Sequence, residues 1–228
     1  ERSSPGRRLF VLHCGACHGP EGDGNGLAAR HLFPRPRDLR WEPSRLVSTK
    51  NGVPSLDDTV SVLRRGIPGT SMASNDGLDD DELLLLAEEV RQLRGAGLRE
   101  QIVYEMELNG EEVSQDDVEE SVDFLTSAGE AIVIPPIEPA VPSSVVRGRE
   151  VYLELGCASC HGEDGAGVAE QIWHDERGFP VRARDLARDL LKGGQDATSV
   201  YLRIAAGMPG SPHPSCGGLP RQPLTDLV

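Results

Sequence analysis

One pentapeptide pattern occurs twice in this chain, as Cys14-Gly15-Ala16-Cys17-His18 and as Cys157-Ala158-Ser159-Cys160-His161, each followed by glycine. C-x-x-C-H is the attachment signature of a c-type haem. Two thiols at this spacing add to the two vinyl groups of one porphyrin, and the next side chain, His18 or His161, supplies an imidazole nitrogen to the iron. A single C-x-x-C also suits a redox or zinc site. Two copies with matching flanks point to two covalently bound haem c groups, and each domain must then fold around a large apolar plate.

Composition agrees with that demand. The 228 residues allow one or two domains. Only 38% of them are hydrophobic and 4% aromatic, a lean supply for two cores. Small domains bury little surface and often need an added staple; a clamped haem provides it. The net charge of −14 argues against nucleic acid or an anionic membrane surface as partner. Basic residues are nearly all arginine, with Lys50 and Lys192 the lysines, so a lysine-ringed docking face is not expected. Four of five cysteines belong to the two motifs, which leaves Cys216 over. No apolar run reaches the length of a membrane span. Haem c is attached outside the cytoplasm, so a periplasmic or extracytoplasmic location is expected, with a leader ahead of Glu1 processed or omitted.

Along the chain, residues 6–18 read as a helix that delivers the first motif, and Gly19–Gly26 as a flexible loop. Pro34–Leu39 reads as an extended turn, because residues before proline avoid the helical region. Ser55 caps a helix to about Arg65 with Asp57 and Asp58 in its first turn. A Gly/Pro-rich loop carrying Met72 follows. Asp79–Arg94 is predicted to be helical on the stripe Leu83, Leu86, Ala87, Val90 and Leu93, with Gly95 as its C-cap. A first domain then spans 1–98. Residues 99–142 read as a linker, with an acidic helix at about 114–126 and a proline-rich extended stretch after it. That stretch is either a spacer or a wrap around one domain. Residues 143–228 form the second domain, whose last helix reads as incomplete, so that a continuation past Val228 is expected.

The second domain repeats the first. Cys157 echoes Cys14 at an offset of 143, and Arg182–Leu186 echoes Arg35–Leu39 at 147 after a short insertion. From Gly66 onward the offset is 141: Gly66-Ile-Pro-Gly-Thr70 matches Gly207-Met-Pro-Gly-Ser211, and Gly77-Leu78 matches Gly218-Leu219.

An electron-carrying haem needs a second axial ligand, usually methionine or histidine. Met72 is the candidate for the first haem. For the second, Met208 is the nearest methionine, yet in the ungapped register it aligns with Ile67. The residue aligned with Met72 is His213. The register therefore favours His213, with Met208 as the alternative and Cys216 or an open position behind it. A thioether favours ferrous iron and raises the potential, whereas a second imidazole favours ferric iron and lowers it. The C-terminal haem is then expected to be the lower-potential centre, and electrons to run from it to the N-terminal haem.

Other residues carry weaker signals. Arg35, Arg37, Arg182 and Arg184 recur at matched positions, either as bidentate partners of haem propionates or as solvated loop arginines. Trp41 and Trp173 are expected beside the haems. His13, His31 and His174 read as loop histidines.

Both halves resemble class I cytochrome c domains, and their order resembles the tandem di-haem cytochromes c of bacterial respiratory chains. The resemblance rests on Cys14–His18 and Cys157–His161, on Pro36-Arg37-Asp38-Leu39, and on Gly66–Met72. It implies an all-α fold of two haem domains in tandem, joined by the acidic, proline-rich connector. It implies electron transfer without substrate chemistry: single electrons relayed from a dehydrogenase or quinol-oxidising complex to an oxidase or other acceptor, in isolation or as a subunit of a larger complex. The competing reading is a di-haem enzyme, of peroxidase or thiosulfate-oxidising type, with one labile haem ligand.

Overall fold

The computed structural model describes residues 3–168 and 170–228. The chain is mostly helical and gathers into two compact units. One comprises the chain up to Ser44, Val53–Gly66 and Thr70–Gly129; the other comprises Arg45–Gly52, Ile67–Gly69 and Glu130–Val228.

In the first unit, α1 (Pro5–His13) starts where Ser4 accepts the Arg7 N–H and proline occupies the first turn. It is followed by the one-turn α2 (Gly15–His18), then by α3 (Leu56–Arg65) and α4 (Asp80–Asn109). Both longer helices open on reciprocal capping boxes, Ser55 with Asp58 and Asp79 with Glu82, and carry acids in their first turns. Phe10 of α1 is fully buried against Leu83, Leu86 and Ala87 of α4, with Leu63 of α3 completing the cluster. The α1–α4 crossing is close because position 6 is glycine: a Cβ there would lie 2.6 Å from the Leu85 carbonyl oxygen.

The helix predicted to stop at Gly95 does not stop there. α4 continues to Asn109 and ends at Gly110, whose left-handed φ of 73° and N–H to the Glu107 and Met106 carbonyls form a C-cap. Gly95 and Gly97 serve close packing inside the helix: a Cβ on Gly97 would meet the Arg40 carbonyl oxygen at 2.5 Å, and one on Gly95 would touch Val122. α5 (Gln115–Thr126) folds back on this extension, burying Val118 and Val122 against Leu98, with Ile102, Val103 and Met106 around them. The acidic stretch therefore has an apolar seam of its own.

In the second unit, residues 130–141 run extended and lay Ile132, Ile134 and Ile137 on a core of Tyr201, Ala205 and Leu224. Of the two readings of the proline-rich stretch, the structure shows the wrap. The extended run pairs with 48–50 through Ile132 N–H to Ser48 O (2.8 Å) and Lys50 N–H to Glu130 O (2.9 Å). α6 (Pro142–Glu154) leads to the one-turn α7 (Ala158–His161). A hairpin follows, β1 (Trp173–His174) antiparallel to β2 (Pro180–Val181), then α8 (Ala197–Ala206) and α9 (Arg221–Asp226). The α6–α9 crossing again uses a glycine, Gly148, whose Cβ would lie 2.0 Å from the Asp226 carbonyl oxygen. Among the described residues, no helix is long and apolar enough to cross a membrane.

Candidate functional site

Each C-x-x-C-H motif ends in a one-turn helix closed by a glycine of positive φ, Gly19 or Gly162. This turn sets both thiols and the histidine on one short segment. His18 Nδ1–H donates to the Arg37 carbonyl oxygen at 2.9 Å, and His161 Nδ1–H to that of Arg184 at 3.0 Å. A carbonyl oxygen only accepts, so the proton sits on Nδ1 and the Nε2 lone pair is left for a metal.

The carbonyls are placed by a loop that the two halves share. Leu39 N–H donates to Gly22 O and Leu186 N–H to Gly165 O, each at 2.7 Å. Gly24 N–H reaches His18 O at 2.8 Å, and Gly167 N–H reaches His161 O at 2.7 Å. The loop turns on Asp38 and Asp185, whose N–H groups donate to Glu42 and Asp189. Sequence reasoning chose the arginine side chains of this loop and missed its carbonyls, which no residue letter reveals. The Arg37 guanidinium donates to Pro43 O and lies 3.3 Å from Glu42; that of Arg184 donates to Gly69 O. Arg35 donates to Asn25, and Arg182 is exposed.

In the loops that carry Met72 and His213 the structural register is the one read from the sequence. Asn75 N–H donates to Leu63 O (3.1 Å), and Cys216 N–H to Ile204 O (3.0 Å), both pairs related by 141. Met72 N–H donates to Thr70 Oγ1 and His213 N–H to Ser211 Oγ. Gly66 lies against the Ala73 carbonyl and Gly207 against that of Pro214, at φ near 70° where glycine carries no Cβ penalty. Met72 and His213 therefore hold equivalent positions in equivalent loops.

Met72 packs on the Phe10–Leu86 cluster together with Cys14. His213 faces His161, with ring centroids 6.4 Å apart and planes at 71°. Its Nδ1 is also hydrogen-bonded to a carbonyl, that of Pro214 at 3.1 Å, which leaves Nε2 unprotonated as on His161. An imidazole nitrogen lies about 2 Å from a first-row metal that it ligates, so two imidazoles on opposite sides of one ion have centroids roughly 6–6.5 Å apart. Met208 is half-buried and donates its N–H to His213 O at 3.2 Å. Cys216 packs beside Leu219 in the Tyr201–Leu224 cluster.

Burial favours the neutral forms of several of these groups. Burial holds the His18 imidazole below its usual range, with the Arg37 carbonyl opposing. Burial and then His161 do the same for His213. Burial, with Cys17 nearby, pushes the Cys14 thiol up to about 11, and burial, with Cys216 nearby, raises that of Cys157. Neutral imidazole is the ligating form.

Paired thiols, a proximal imidazole with a free Nε2 and an opposing soft or imidazole donor together form the donor set of a haem c, and the residues present fit that group. Trp41 is half exposed, Trp173 belongs to the hairpin strand β1, and His13, His31 and His174 are exposed.

The family model for cytochrome c matches residues 3–94 and again residues 145–226. No curated protein matches the chain. Among solved structures, a chain of the Kuenenia stuttgartiensis reducing HAO-like protein complex Kustc0457/Kustc0458 aligns with a TM-score of 0.82 and 23% identity, covering 100% of this chain and 94% of that one. A likeness at that identity speaks to the fold.

Proposed function

This chain belongs to the cytochrome c family, and from that premise we propose a di-haem c-type electron carrier whose two centres differ in their axial ligands. Cys14 and Cys17 attach the first haem, ligated by His18 and Met72. Cys157 and Cys160 attach the second, ligated by His161 and His213. A haem c held in this way supplies reversible one-electron chemistry at its iron.

The chain's own residues do the rest. The Arg37 and Arg184 carbonyls fix the proximal imidazoles in tautomer and orientation. The hydrogen bonds from Asn75 and Cys216 close the distal loops. The His161/His213 pair stabilises ferric iron and sets the second centre lower in potential than the His18/Met72 centre, so single electrons pass from the C-terminal to the N-terminal haem. The reading places the protein outside the cytoplasm, between a dehydrogenase or quinol-oxidising complex and a terminal acceptor. The solved neighbour is a chain of a reducing HAO-like protein complex, which supports a role as an electron-transfer subunit.

The observation that carries this reading is the 6.4 Å separation and 71° inter-ring angle of His161 and His213. Steeply crossed imidazole planes on one iron give a highly anisotropic low-spin signal, distinct from that of a His/Met centre. Electron paramagnetic resonance of the oxidised protein, with both haems loaded, should show one signal of each kind. Two identical signals, or a high-spin signal from the resting protein, would overturn the assignment, and the second result would favour the enzyme reading.

A further inference from the structure

The hairpin of the second unit occupies the place where the repeat gains residues. The offset rises from 143 at Gly24/Gly167 to 147 at Arg35/Arg182, so four residues enter between them. Among the described residues, the matching stretch of the first half forms a single 3-10 turn, Ala29–His31, and no strand pair. At the hairpin's turn sits Asp175. Its Oδ1 accepts the N–H groups of Arg177 (3.2 Å) and Phe179 (2.9 Å), which consumes one carboxylate oxygen in shaping the turn. Its Oδ2 accepts from Arg45 Nη2 at 2.7 Å.

Arg45 belongs to the segment 45–52, which folds as part of the second unit. Both side chains of the pair are largely buried, 12% exposed for Arg45 and 7% for Asp175. The same Nη2 reaches the Gly210 carbonyl oxygen at 3.4 Å. Gly210 lies in the turn closed by Ser211 N–H to Met208 O, three positions before His213. The segment behind Arg45 is itself anchored. Arg203 of α8 donates to the carbonyls of Arg45 (2.9 Å) and Val47, and 48–50 pairs with 130–132. The buried Nε–H of Arg45 has no hydrogen-bond partner among the described residues, so Nη2 carries the contacts.

We propose that the Arg45–Asp175 ion pair is a brace for the distal loop of the second haem, with Arg45 as a positioning residue that keeps His213 over the iron. The proposal rests on His213 being that ligand. A loop built of Gly207, Pro209, Gly210, Pro212 and Pro214 has few side chains with which to hold itself against a stiff, two-sided coordination geometry. An anchored guanidinium bonded to its backbone supplies that hold. Removing one partner of a buried pair leaves an uncompensated charge and is strongly unfavourable, so the loop opens more often when Arg45 is lost.

The test uses the full chain with both haems attached. In Arg45→Gln, ferrous protein should take up carbon monoxide at one haem per chain, roughly tenfold to a hundredfold faster than the unaltered protein, and only the lower redox wave should rise. Arg45→Lys should recover part of the effect, whereas the reversal Arg45→Asp with Asp175→Arg should recover none, because a carboxylate at 45 cannot donate to the Gly210 carbonyl. His213→Ala provides the separate reference. If His213→Ala opens the second haem and Arg45→Gln leaves spectrum and uptake unchanged well below its melting temperature, the brace is wrong and the ligation stands. If His213→Ala leaves the second haem closed to carbon monoxide, the ligation is wrong and the brace falls with it. Should Arg45→Gln fail to fold, Asp175→Asn and Arg45→Lys carry the same measurement.

Discussion

The proximal sides of the two halves differ little, and their distal sides differ in the atom that matters. His18 and His161 are held by the same backbone carbonyl of the same loop, at 2.9 and 3.0 Å. Loops with the same hydrogen bonds carry a thioether in one half and, facing His161, an imidazole in the other. Under the proposed ligation, a duplicated scaffold offers two matching attachment sites and assigns two different electronic environments with a single side chain. The proposal thus divides the work: backbone geometry secures attachment, and the side chain that the distal loop carries sets the potential.

Exchanging those side chains should break the comparison most strongly. His213→Met is expected to raise the lower potential by on the order of 0.1–0.2 V, within the roughly 0.8 V range that axial ligands command. Met72→His should lower the upper one, and together they invert the order of the two waves. Potentiometric titration followed in the α-bands reads both.

The helix crossings allow a finer contrast. Gly6 and Gly148 stand at equivalent contacts, 2.6 and 2.0 Å from a facing carbonyl oxygen if a Cβ is added. Alanine at Gly6 should cost about 1–3 kcal/mol by overpacking, because the long α4 cannot yield. Alanine at Gly148 should cost less despite the closer approach, since α9 has six residues and can be displaced. Denaturant unfolding of the two variants checks the order.

The α4–α5 hairpin should separate stability from redox function. Val118→Ala removes two carbons from a fully buried position and should cost about 2 kcal/mol. Both midpoint potentials should stay where they are.

The smallest effect belongs to the exposed pair Glu88–Arg91 on α4. Its Arg91 hydrogen bond holds the Glu88 carboxyl below the usual range. A carboxyl with a depressed folded pKa contributes stability above its unfolded pKa and loses it as pH falls through the folded one. Arg91→Gln should therefore cost no more than about 0.5 kcal/mol at neutral pH, and the difference should vanish in acid. Unfolding followed across the acidic range reads it.

Much of this molecule was legible in order along the chain. Two C-x-x-C-H motifs already point to haem c, in agreement with the family match over both halves, because attachment chemistry needs only residues that are neighbours in sequence. The constant offset of 141 determines that His213, rather than Met208, stands where Met72 does, and the paired bonds at 63/75 and 204/216 follow that register. Capping residues Ser55 and Asp79 start their helices where expected.

What the tertiary structure alone decided has a common cause. Gly95 looks like a helix stop, but α4 continues because the backbone of Arg40 and the side chain of Val122 press on that stretch from elsewhere in the chain. The acidic stretch after it hides an apolar seam that has meaning only once α5 lies on α4. The carbonyls that orient His18 and His161 have no letter in a sequence, since every residue carries one. The pairing of Arg45 with Asp175 joins positions 130 residues apart. Local chemistry and periodicity are written in one dimension; close approach between distant segments exists only after folding.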